Sequence, residues 1–284
     1  MKNLAALFFT LLVSFSTLAS VSLPEKEALV KLYQLTNGSK WTIKWDLSAP
    51  VSTWYGVKLD NDKVVAIHLA NNNLVGEIPN EIVNLANLQE LDLHQNGLFG
   101  EIPSAIGNLK AMKTLDVSFN KISGSIPLSI CEMGNLEQLQ LFMNRLSGEL
   151  PAQIGDLKKL EVLSLFNNEI SGQIPNSIYN AKALKILLLS SNKLRGELSH
   201  EVVNLKMLEN LSLFDNAMNG EVPSELGKLN NLKEMNISYN MFSGLVSRNL
   251  VLLDVLNMTM INDKGVAVLL DVKVDKEKAL ATED

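Results

Sequence analysis

Residues 88–109 read LQELDLHQNGLFGEIPSAIGNL, and this stretch decides the fold of the chain. The same arrangement of leucines, one asparagine and one glycine returns every 24 residues. Eight asparagines hold this spacing: Asn72, Asn96, Asn120, Asn144, Asn168, Asn192, Asn216 and Asn240. A glycine follows each of them four residues later: Gly76, Gly100, Gly124, Gly148, Gly172, Gly196, Gly220 and Gly244. So strict a period indicates stacked copies of one small unit, which is a solenoid.

Each unit begins with alternating apolar residues, which predict a short strand with one buried face. Leu91 and Leu93 point into the core, whereas Asp92 and His94 point out. One such strand buries little apolar surface, so neighbouring units must stack to form a continuous core. The asparagine closes the following turn, because its amide pairs with backbone groups that would otherwise be buried without partners. Eight parallel strands about 4.8 Å apart predict a sheet on the order of 38 Å long.

The complete unit reads L-x-x-L-x-L-x-x-N-x-L-x-G-x-I-P-x-x-I-x-x-L-x-x, which is a leucine-rich repeat. Its L-x-G-x-I-P half resembles the plant-type subclass found in receptor-kinase ectodomains and polygalacturonase-inhibiting proteins, and the match covers residues 64–247. The resemblance implies an α/β-type solenoid, a right-handed arc with a parallel concave sheet and a 3₁₀ or irregular convex side. It also implies protein or peptide ligands.

Five segments are predicted along the chain. They are a signal peptide over 1–20, an N-terminal cap over 21–63, eight repeats over 64–247, a C-terminal cap over 248–274 and a flexible tail over 275–284. The first segment has one early lysine, a long apolar run and then small residues, which is the layout of a secretory signal. We therefore expect a secreted protein, with an extracellular, periplasmic or cell-surface location.

The two caps are expected to close the open ends of the solenoid. The N-terminal cap is predicted to contain an amphipathic helix over 24–37 and a hairpin built from 57–59 and 64–69. The C-terminal cap is expected to be hairpin-like, with strands over 258–261 and 266–274. Alternate residues of the second strand are expected to cover the last coil.

The formal net charge of −6 at pH 7 argues against nucleic acid or an anionic membrane surface as the partner. Acidic residues such as Asp254 and Asp271 interrupt the second apolar stretch, so membrane insertion is not expected. The sequence contains one cysteine, Cys131, which excludes a disulfide within the chain. Cys131 is expected to be a small buried residue, with an intermolecular disulfide as the alternative.

The N-terminal cap resembles its plant-type counterparts in the stretch Trp54-Tyr55-Gly56-Val57, but the cysteines that usually flank this core are missing. Their absence favours a bacterial or simple-eukaryote protein over a plant extracellular one. Trp41, Trp45, Trp54 and Tyr55 are expected to plug the first coil in place of disulfides. A sugar-stacking patch is the alternative interpretation of these four rings.

The outward strand positions are expected to line the concave face and to carry the binding site. Eight residues form the candidate site: Phe119, Phe142, Met143, Phe166, Leu188, Phe214, His94 and Asp116. Aromatic residues and methionine are enriched at the centres of protein interfaces. The competing interpretation is packing without a ligand, in which Phe119 and Tyr239 fold inward along the spine.

Near the N-terminal end of the same face, His68 is expected to contact Asp92. Together with His94 and Asp116 these residues raise the alternative of a divalent metal site, but we predict no metal and no cofactor. We found no nucleophile–base pair, metal motif or phosphate loop, so no enzymatic activity is predicted. The sequence predicts a non-enzymatic protein that binds a protein or peptide through its concave face. The alternative is adhesin-like binding of cell-surface or extracellular polysaccharide.

Overall fold

The structure is a computed structural model that describes residues 21–254, 256, 258–262 and 264–272. The predicted signal peptide and the predicted tail lie outside the described residues. The five predicted segment boundaries therefore remain predictions, and the elements below are those of the described residues.

The N-terminal cap begins with helix α1, Leu23–Leu35, which buries Leu29 and Leu32 against the first coil. Glu25 in its first turn is only 3% exposed and links the helix to the following sheet. Its Oε1 accepts a hydrogen bond from the Val64 backbone N–H at 3.1 Å, and Lys63 Nζ lies 3.8 Å from its Oε2. A buried carboxylate needs such partners, because desolvation alone would make it costly.

A hairpin follows the helix, as predicted, with β1 over Val57–Asp60 and β2 over Lys63–His68 paired antiparallel. Its two turn residues, Asn61 and Asp62, have φ values of 47° and 59°, which suits a two-residue hairpin turn.

Three tryptophans fill the space between α1 and the hairpin. Trp41, Trp45 and Trp54 are at most 4% exposed, and the rings of Trp45 and Trp54 stack with centroids 4.8 Å apart. Tyr55 differs, because it is 45% exposed. The expected plug is thus present for the three tryptophans, and a sugar-stacking role for them is wrong because sugar cannot reach buried rings.

Each repeat contains two short strands, and further short strands and one helix follow the last repeat. In chain order they are β3 Val75–Glu77, β4 Glu90–Asp92, β5 Gly97–Gly100, β6 Thr114–Asp116, β7 Lys121–Ser125, β8 Gln138–Gln140, β9 Arg145–Glu149, β10 Val162–Ser164, β11 Glu169–Gly172, β12 Ile186–Leu188, β13 Lys193–Glu197, β14 Asn210–Ser212, β15 Ala217–Asn219, β16 Glu234–Asn236, β17 Leu245–Val246, α2 Arg248–Val251, β18 Thr259–Ile261, β19 Ala267–Leu269 and β20 Asp271–Val272.

The main sheet has nine strands in the order β1-β2-β4-β6-β8-β10-β12-β14-β16, and β2 to β16 run parallel. Its register places the central leucine of each strand beside the next, as in Leu139 beside Leu163 and Leu163 beside Leu187. These leucines are 0–2% exposed and form one continuous core. The predicted leucine-rich-repeat solenoid with a parallel concave sheet is confirmed.

A second parallel sheet of seven strands, β3 to β15, was not predicted. It forms because the L-x-G segments are extended and stack at the same spacing as the first strands. From Gly100 to Gly196 the periodic glycines end or lie within these strands, and Gly220 directly follows β15. These six glycines have φ of 77–81°, a conformation that suits glycine. Beyond them lie 3₁₀ helices, as predicted for the convex side: Asn80–Asn84, Ile106–Asn108, Leu128–Glu132, Ile154–Asp156, Asn176–Asn180, His200–Asn204 and Ser224–Lys228.

The periodic asparagines join neighbouring coils as well as closing their own turns. Asn144 Nδ2 donates to the carbonyl of Leu141 in its own coil and to that of Val117 in the preceding coil, each at 3.0 Å. Its Oδ1 accepts the N–H of Ile122 in the preceding coil at 3.0 Å. The row of asparagines therefore forms a ladder along the solenoid, because the second set of partners comes from the preceding repeat.

At the C-terminal end, Asp254 closes the last coil of the solenoid. Its carboxylate is buried and accepts the Ile237 N–H at 2.8 Å and the Ser238 hydroxyl at 3.0 Å. The predicted hairpin forms from β18 and β19, which pair antiparallel, and β20 pairs with β17.

One expectation for this cap holds only in part. Of the alternate residues expected to cover the last coil, Val266 and Val268 are 54% and 39% exposed, whereas Leu270 packs against the core. Met258 and Met260, at 0% and 1% exposed, join the core. The coil is closed mainly by the first strand of the hairpin, so β19 is left at the surface.

Candidate functional site on the concave face

The candidate aromatic residues meet on the outward face of the nine-stranded sheet. The rings of Phe142 and Phe166 stack with centroids 4.4 Å apart and planes 15° from parallel. Phe119 and Phe142 meet edge to face, with ring centroids 5.2 Å apart. We call Phe119, Phe142 and Phe166 the aromatic cluster. Phe214 lies outside it and instead packs against Tyr239, with ring centroids 5.3 Å apart.

The competing interpretation, in which Phe119 and Tyr239 fold inward, is wrong for both residues, because they are 45% and 42% exposed. The backbone explains this orientation. The residue before each periodic asparagine has a positive φ: Asn71, Gln95, Phe119, Met143, Asn167, Ser191, Asp215 and Tyr239, between 49° and 58°. This left-handed conformation costs about 1 kcal/mol or more for residues other than glycine, and the asparagine hydrogen bonds of the same turn hold it in place.

Leu188 and Met143 flank the aromatic cluster and are half-buried. Between Phe166 and Phe214 the corresponding position is Ser190, so the row of large rings is interrupted there. A shallow depression of about 400 Å³ opens at this point, with Phe166, Leu188, Ser190, Ser212, Glu234 and Leu253 among its lining residues. The hydroxyl oxygens of Ser190 and Ser212 are 2.5 Å apart. Sequence reasoning missed this depression, although a small residue between two large ones in one row is its signal.

Ser164 is an unusual residue on this face. It occupies an outward position on β10, between Gln140 and Leu188 in register, yet it is only 3% exposed. Its hydroxyl has no hydrogen-bond partner within the described part of the chain. Because a polar group buried without a partner costs roughly 1–3 kcal/mol, this position is destabilising as it stands.

The N-terminal end of the face is polar and contains two histidines. Asp92 and Asp116 are register partners on β4 and β6. His94 Nδ1 lies 2.7 Å from Asp92 Oδ1 and 4.0 Å from Asp116 Oδ2. The predicted contact of His68 with Asp92 is wrong: His68 Nε2 lies 2.7 Å from Glu90 Oε2. Asp92 is already engaged by His94, and the longer side chain of Glu90 reaches the His68 ring.

Asp92, His94 and Asp116 could together hold a metal ion, because one ligand atom from each lies within 4.8 Å of the others. Oxygen and imidazole donors suit ions such as Mn²⁺ or Zn²⁺. Two of the predicted site residues, His94 and Asp116, thus lie together at this end of the face. Phe119 lies in the same repeat as Asp116, and the other five lie in the central and C-terminal repeats.

Ion pairs line the margin of the face, each joining one repeat to the next. Lys185 Nζ lies 2.8 Å from Glu161 Oε2, and Lys233 Nζ lies 2.6 Å from Glu209 Oε2. The hydrogen bond from Lys233 holds the pKa of Glu209 below its usual value, and the bond to Glu161 raises the pKa of Lys185. Such exposed pairs add little to stability, but they fix the local charge pattern.

Among the described residues, no helix is long and apolar enough to cross a membrane. Cys131 is buried, at 8% exposed, which agrees with its predicted packing role. Burial, with the nearby Asp156 charge, raises the pKa of its thiol to about 11.

Comparison with known proteins matches two family models to the chain. A leucine-rich repeat region is found over residues 143–263, and single leucine-rich repeats over 63–85, 87–109 and 111–133. The chain is thus a leucine-rich-repeat protein. This agrees with the stacked coils, the asparagine ladder and the parallel concave sheet.

The chain is similar to receptors from plants. A probable leucine-rich repeat receptor-like protein kinase of Arabidopsis thaliana is 38% identical over 80 residues, 23% of this chain and 8% of that protein. The ectodomain of the Arabidopsis thaliana receptor kinase GASSHO1/SCHENGEN3, solved with CASPARIAN STRIP INTEGRITY FACTOR 2, is 29% identical with a TM-score of 0.71, covering 81% of this chain and 31% of that one.

A second structure, the plant peptide hormone receptor RGFR1 in complex with RGF2, is 30% identical with a TM-score of 0.64, covering 73% of this chain and 32% of that one. This chain therefore spans about a third of the length of these two solved receptors.

Proposed function

We propose that this chain is a secreted, non-enzymatic binding protein that recognises a protein or peptide through the concave face of its solenoid. The aromatic cluster is the observation that carries the proposal. Its three rings contact one another outside the core, one pair stacked and the other edge to face, and Phe119 remains 45% exposed. The leucine framework does not require rings there, and exposed apolar surface of this kind is characteristic of interaction sites.

The surroundings of the cluster suit a macromolecular ligand. The depression beside it is shallow, which is suited to side chains of an extended partner, and paired charges line the margin of the concave face. A polar rim around an apolar centre is the usual composition of a protein interface. The similarity to a peptide hormone receptor supports the same ligand class.

The arrangement of polar groups on the face supports a non-enzymatic role. The Ser118 hydroxyl is the group on this face that most resembles a catalytic nucleophile, since its Oγ donates a hydrogen bond to Asp116 Oδ1 at 2.6 Å. The residue is only 1% exposed, and its hydroxyl bonds to the carboxylate rather than to His94. A catalytic triad requires the imidazole between the hydroxyl and the carboxylate, so this contact serves to position Asp116.

The tryptophans of the N-terminal cap give the polysaccharide alternative no support. Sugar-binding surfaces use exposed aromatic faces, and Trp41, Trp45 and Trp54 are buried in the cap. We therefore retain a protein or peptide as the ligand.

The proposal can be tested by capturing partners with the full chain. The protein is immobilised and exposed to proteins released by the producing organism, and captured proteins are identified by mass spectrometry. The triple variant Phe119→Ser, Phe142→Ser, Phe166→Ser, which removes all three rings of the aromatic cluster, is compared with the wild type. Phe99→Ser is the matched control, because Phe99 is also 45% exposed but lies on β5 of the second sheet.

We expect the wild type and Phe99→Ser to capture the same partner and the triple variant to lose it, with little change in melting temperature. Equal capture by the triple variant would refute binding through the aromatic cluster. A collapse of its melting temperature would show that the three rings belong to the core.

A further inference from the structure

We propose that the ligand is an extended segment with a cationic group about three residues away from a large apolar side chain. The cationic group pairs with Asp92 and Asp116, and the apolar side chain packs on the aromatic cluster. This inference rests on the proposed function, since it specifies the ligand of the same face.

The first observation is that two carboxylates of like charge stand side by side. Asp92 and Asp116 are register partners on neighbouring parallel strands, and both point out of the sheet. Like charges in adjacent positions of a sheet are destabilising. His94 lies between them, with its Nδ1 2.7 Å from Asp92 Oδ1 and 4.0 Å from Asp116 Oδ2. Within the described residues no lysine or arginine pairs with either carboxylate, in contrast to Glu161 and Glu209 on the same face.

Both carboxylates are also held in fixed orientations. The backbone N–H of His94 donates to Asp92 Oδ1 at 3.1 Å, and that of Ser118 donates to Asp116 Oδ1 at 2.9 Å. The two side chains are therefore anchored by their inner oxygens. A fixed pair of negative charges suits a guanidinium or ammonium group, because little side-chain entropy is lost on binding.

The second observation is the position of the aromatic cluster along the same sheet. The acidic pair lies on β4 and β6. Phe119 follows β6 in the same repeat as Asp116, whereas the stacked Phe142 and Phe166 follow β8 and β10, two strands further along. Parallel strands are spaced about 4.8 Å apart, so the acidic pair and the Phe142–Phe166 stack are separated by about 10 Å. An extended segment lying across the strands advances about 3.3 Å per residue. Three residues therefore span the distance from the acidic pair to the rings.

The same arrangement discriminates between ligands. A segment with an acidic residue at the first position would face two carboxylates and be rejected, because like charges brought together at an interface cost several kcal/mol. A neutral segment would keep the apolar contact but leave the carboxylate pair unneutralised. The face is thus expected to select basic, amphipathic segments.

A displayed library of random dodecapeptides, panned against the full chain, tests the inference. Three proteins are compared: the wild type, Asp92→Asn/Asp116→Asn, and the control Glu77→Gln/Glu101→Gln. The control removes the same charge from two exposed glutamates in consecutive repeats that lie outside the concave sheet. We expect the wild type and the control to enrich peptides with Lys or Arg about three residues from Phe, Trp or Leu. The aspartate variant should enrich the apolar residue without the basic one.

The best peptide is then synthesised with its basic residue intact or replaced by Gln, and the dissociation constants are measured. On the wild type, the Gln peptide should bind about tenfold more weakly or worse, whereas the aspartate variant should bind both peptides alike. The Gln peptide tests the charge contact on the unmodified protein, so the result does not depend on the variant folding well.

The outcomes separate the two proposals. Peptides that need the aromatic cluster but show no basic residue would overturn this inference and leave the proposed function standing. Failure to enrich any peptide would overturn this inference, and equal partner capture by the triple phenylalanine variant would overturn the proposed function. Binding that disappears when a chelator is added would show that the acidic pair acts through a bound metal ion, which would also overturn direct pairing with a cationic side chain.

Discussion

Phe142 and Phe166 stack ring on ring, with centroids 4.4 Å apart and planes 15° from parallel, although a whole repeat separates them in sequence. The stack forms because the residues hold the same position in consecutive coils, and the sheet places such positions about 4.8 Å apart. The solenoid thus converts a spacing in the sequence into an aromatic surface.

The stack is expected to contribute little to stability. Aromatic pairs add about 0.5–1.5 kcal/mol, so Phe142→Ala should lower the free energy of unfolding by less than about 2 kcal/mol. Leu163→Ala, at a residue with no exposure, should cost about 2–5 kcal/mol. Urea unfolding of both variants measures the difference. A larger loss for Phe142→Ala than for Leu163→Ala would place the ring in the core.

The asparagine ladder should be essential to stability. Asn120 is 9% exposed, accepts the Leu98 N–H at 2.9 Å and donates to the Leu93 and Val117 carbonyls at 3.0 Å. Asn120→Ala leaves these groups buried without partners and should cost at least about 2 kcal/mol. Asn84→Ala is the control, since this exposed side chain has no hydrogen bond among the described residues. Equal unfolding midpoints for the two variants would contradict a structural role for the ladder.

Two glycines that look alike in sequence should differ strongly when replaced by alanine. A Cβ at Gly155 would lie 1.7 Å from the Ser177 carbonyl oxygen of the next coil, whereas a Cβ at Gly134 would meet nothing within 4 Å. Gly155→Ala should therefore push neighbouring 3₁₀ helices apart and lower the melting temperature by many degrees. Gly134→Ala should change stability by about 1 kcal/mol or less, through the unfolded chain. Similar melting temperatures would mean that the coils are less closely packed than described.

Ser164→Ala is expected to raise stability or leave it unchanged. The substitution removes a hydroxyl that is buried without a hydrogen bond, so up to about 1 kcal/mol can be recovered. Ser212→Ala serves as the comparison, because it breaks the contact with the Ser190 hydroxyl and should be mildly destabilising. Calorimetry of the two variants decides the matter, and a fall in melting temperature for Ser164→Ala would reveal a partner for the hydroxyl.

Cys131 should react slowly in the folded protein. Burial raises the pKa of its thiol from 9.0 to about 11, so the thiolate fraction near pH 8 falls about a hundredfold, and the thiolate is the reactive form. Modification by a disulfide reagent at pH 8 should be much faster in urea than in buffer. The rate in buffer should still rise between pH 8 and pH 10, as the thiol ionises. Equal rates in buffer and in urea would show that Cys131 is accessible, which would favour the intermolecular disulfide.

The repeat determined most of the fold without reference to any structure. The periodic leucines, Asn120 and its equivalents each need a neighbouring coil, because one coil alone can bury neither its apolar stripe nor its polar turn. Stacking follows from that requirement, and so does the outward orientation of Phe142 and Phe166. The caps were also recognisable, since Trp41 and Trp45 lie near a predicted amphipathic helix.

Only the tertiary structure decided which residues of neighbouring coils contact one another. His68 contacts Glu90 rather than Asp92, Phe119 turns outward, and Ser164 is buried on a face that should be exposed. The second sheet and the exposed strand β19 belong to the same group. These outcomes depend on how the side chains and strands of neighbouring coils pack against one another. A local pattern fixes the direction of a side chain, whereas competition among its neighbours is settled only when the coils are in contact.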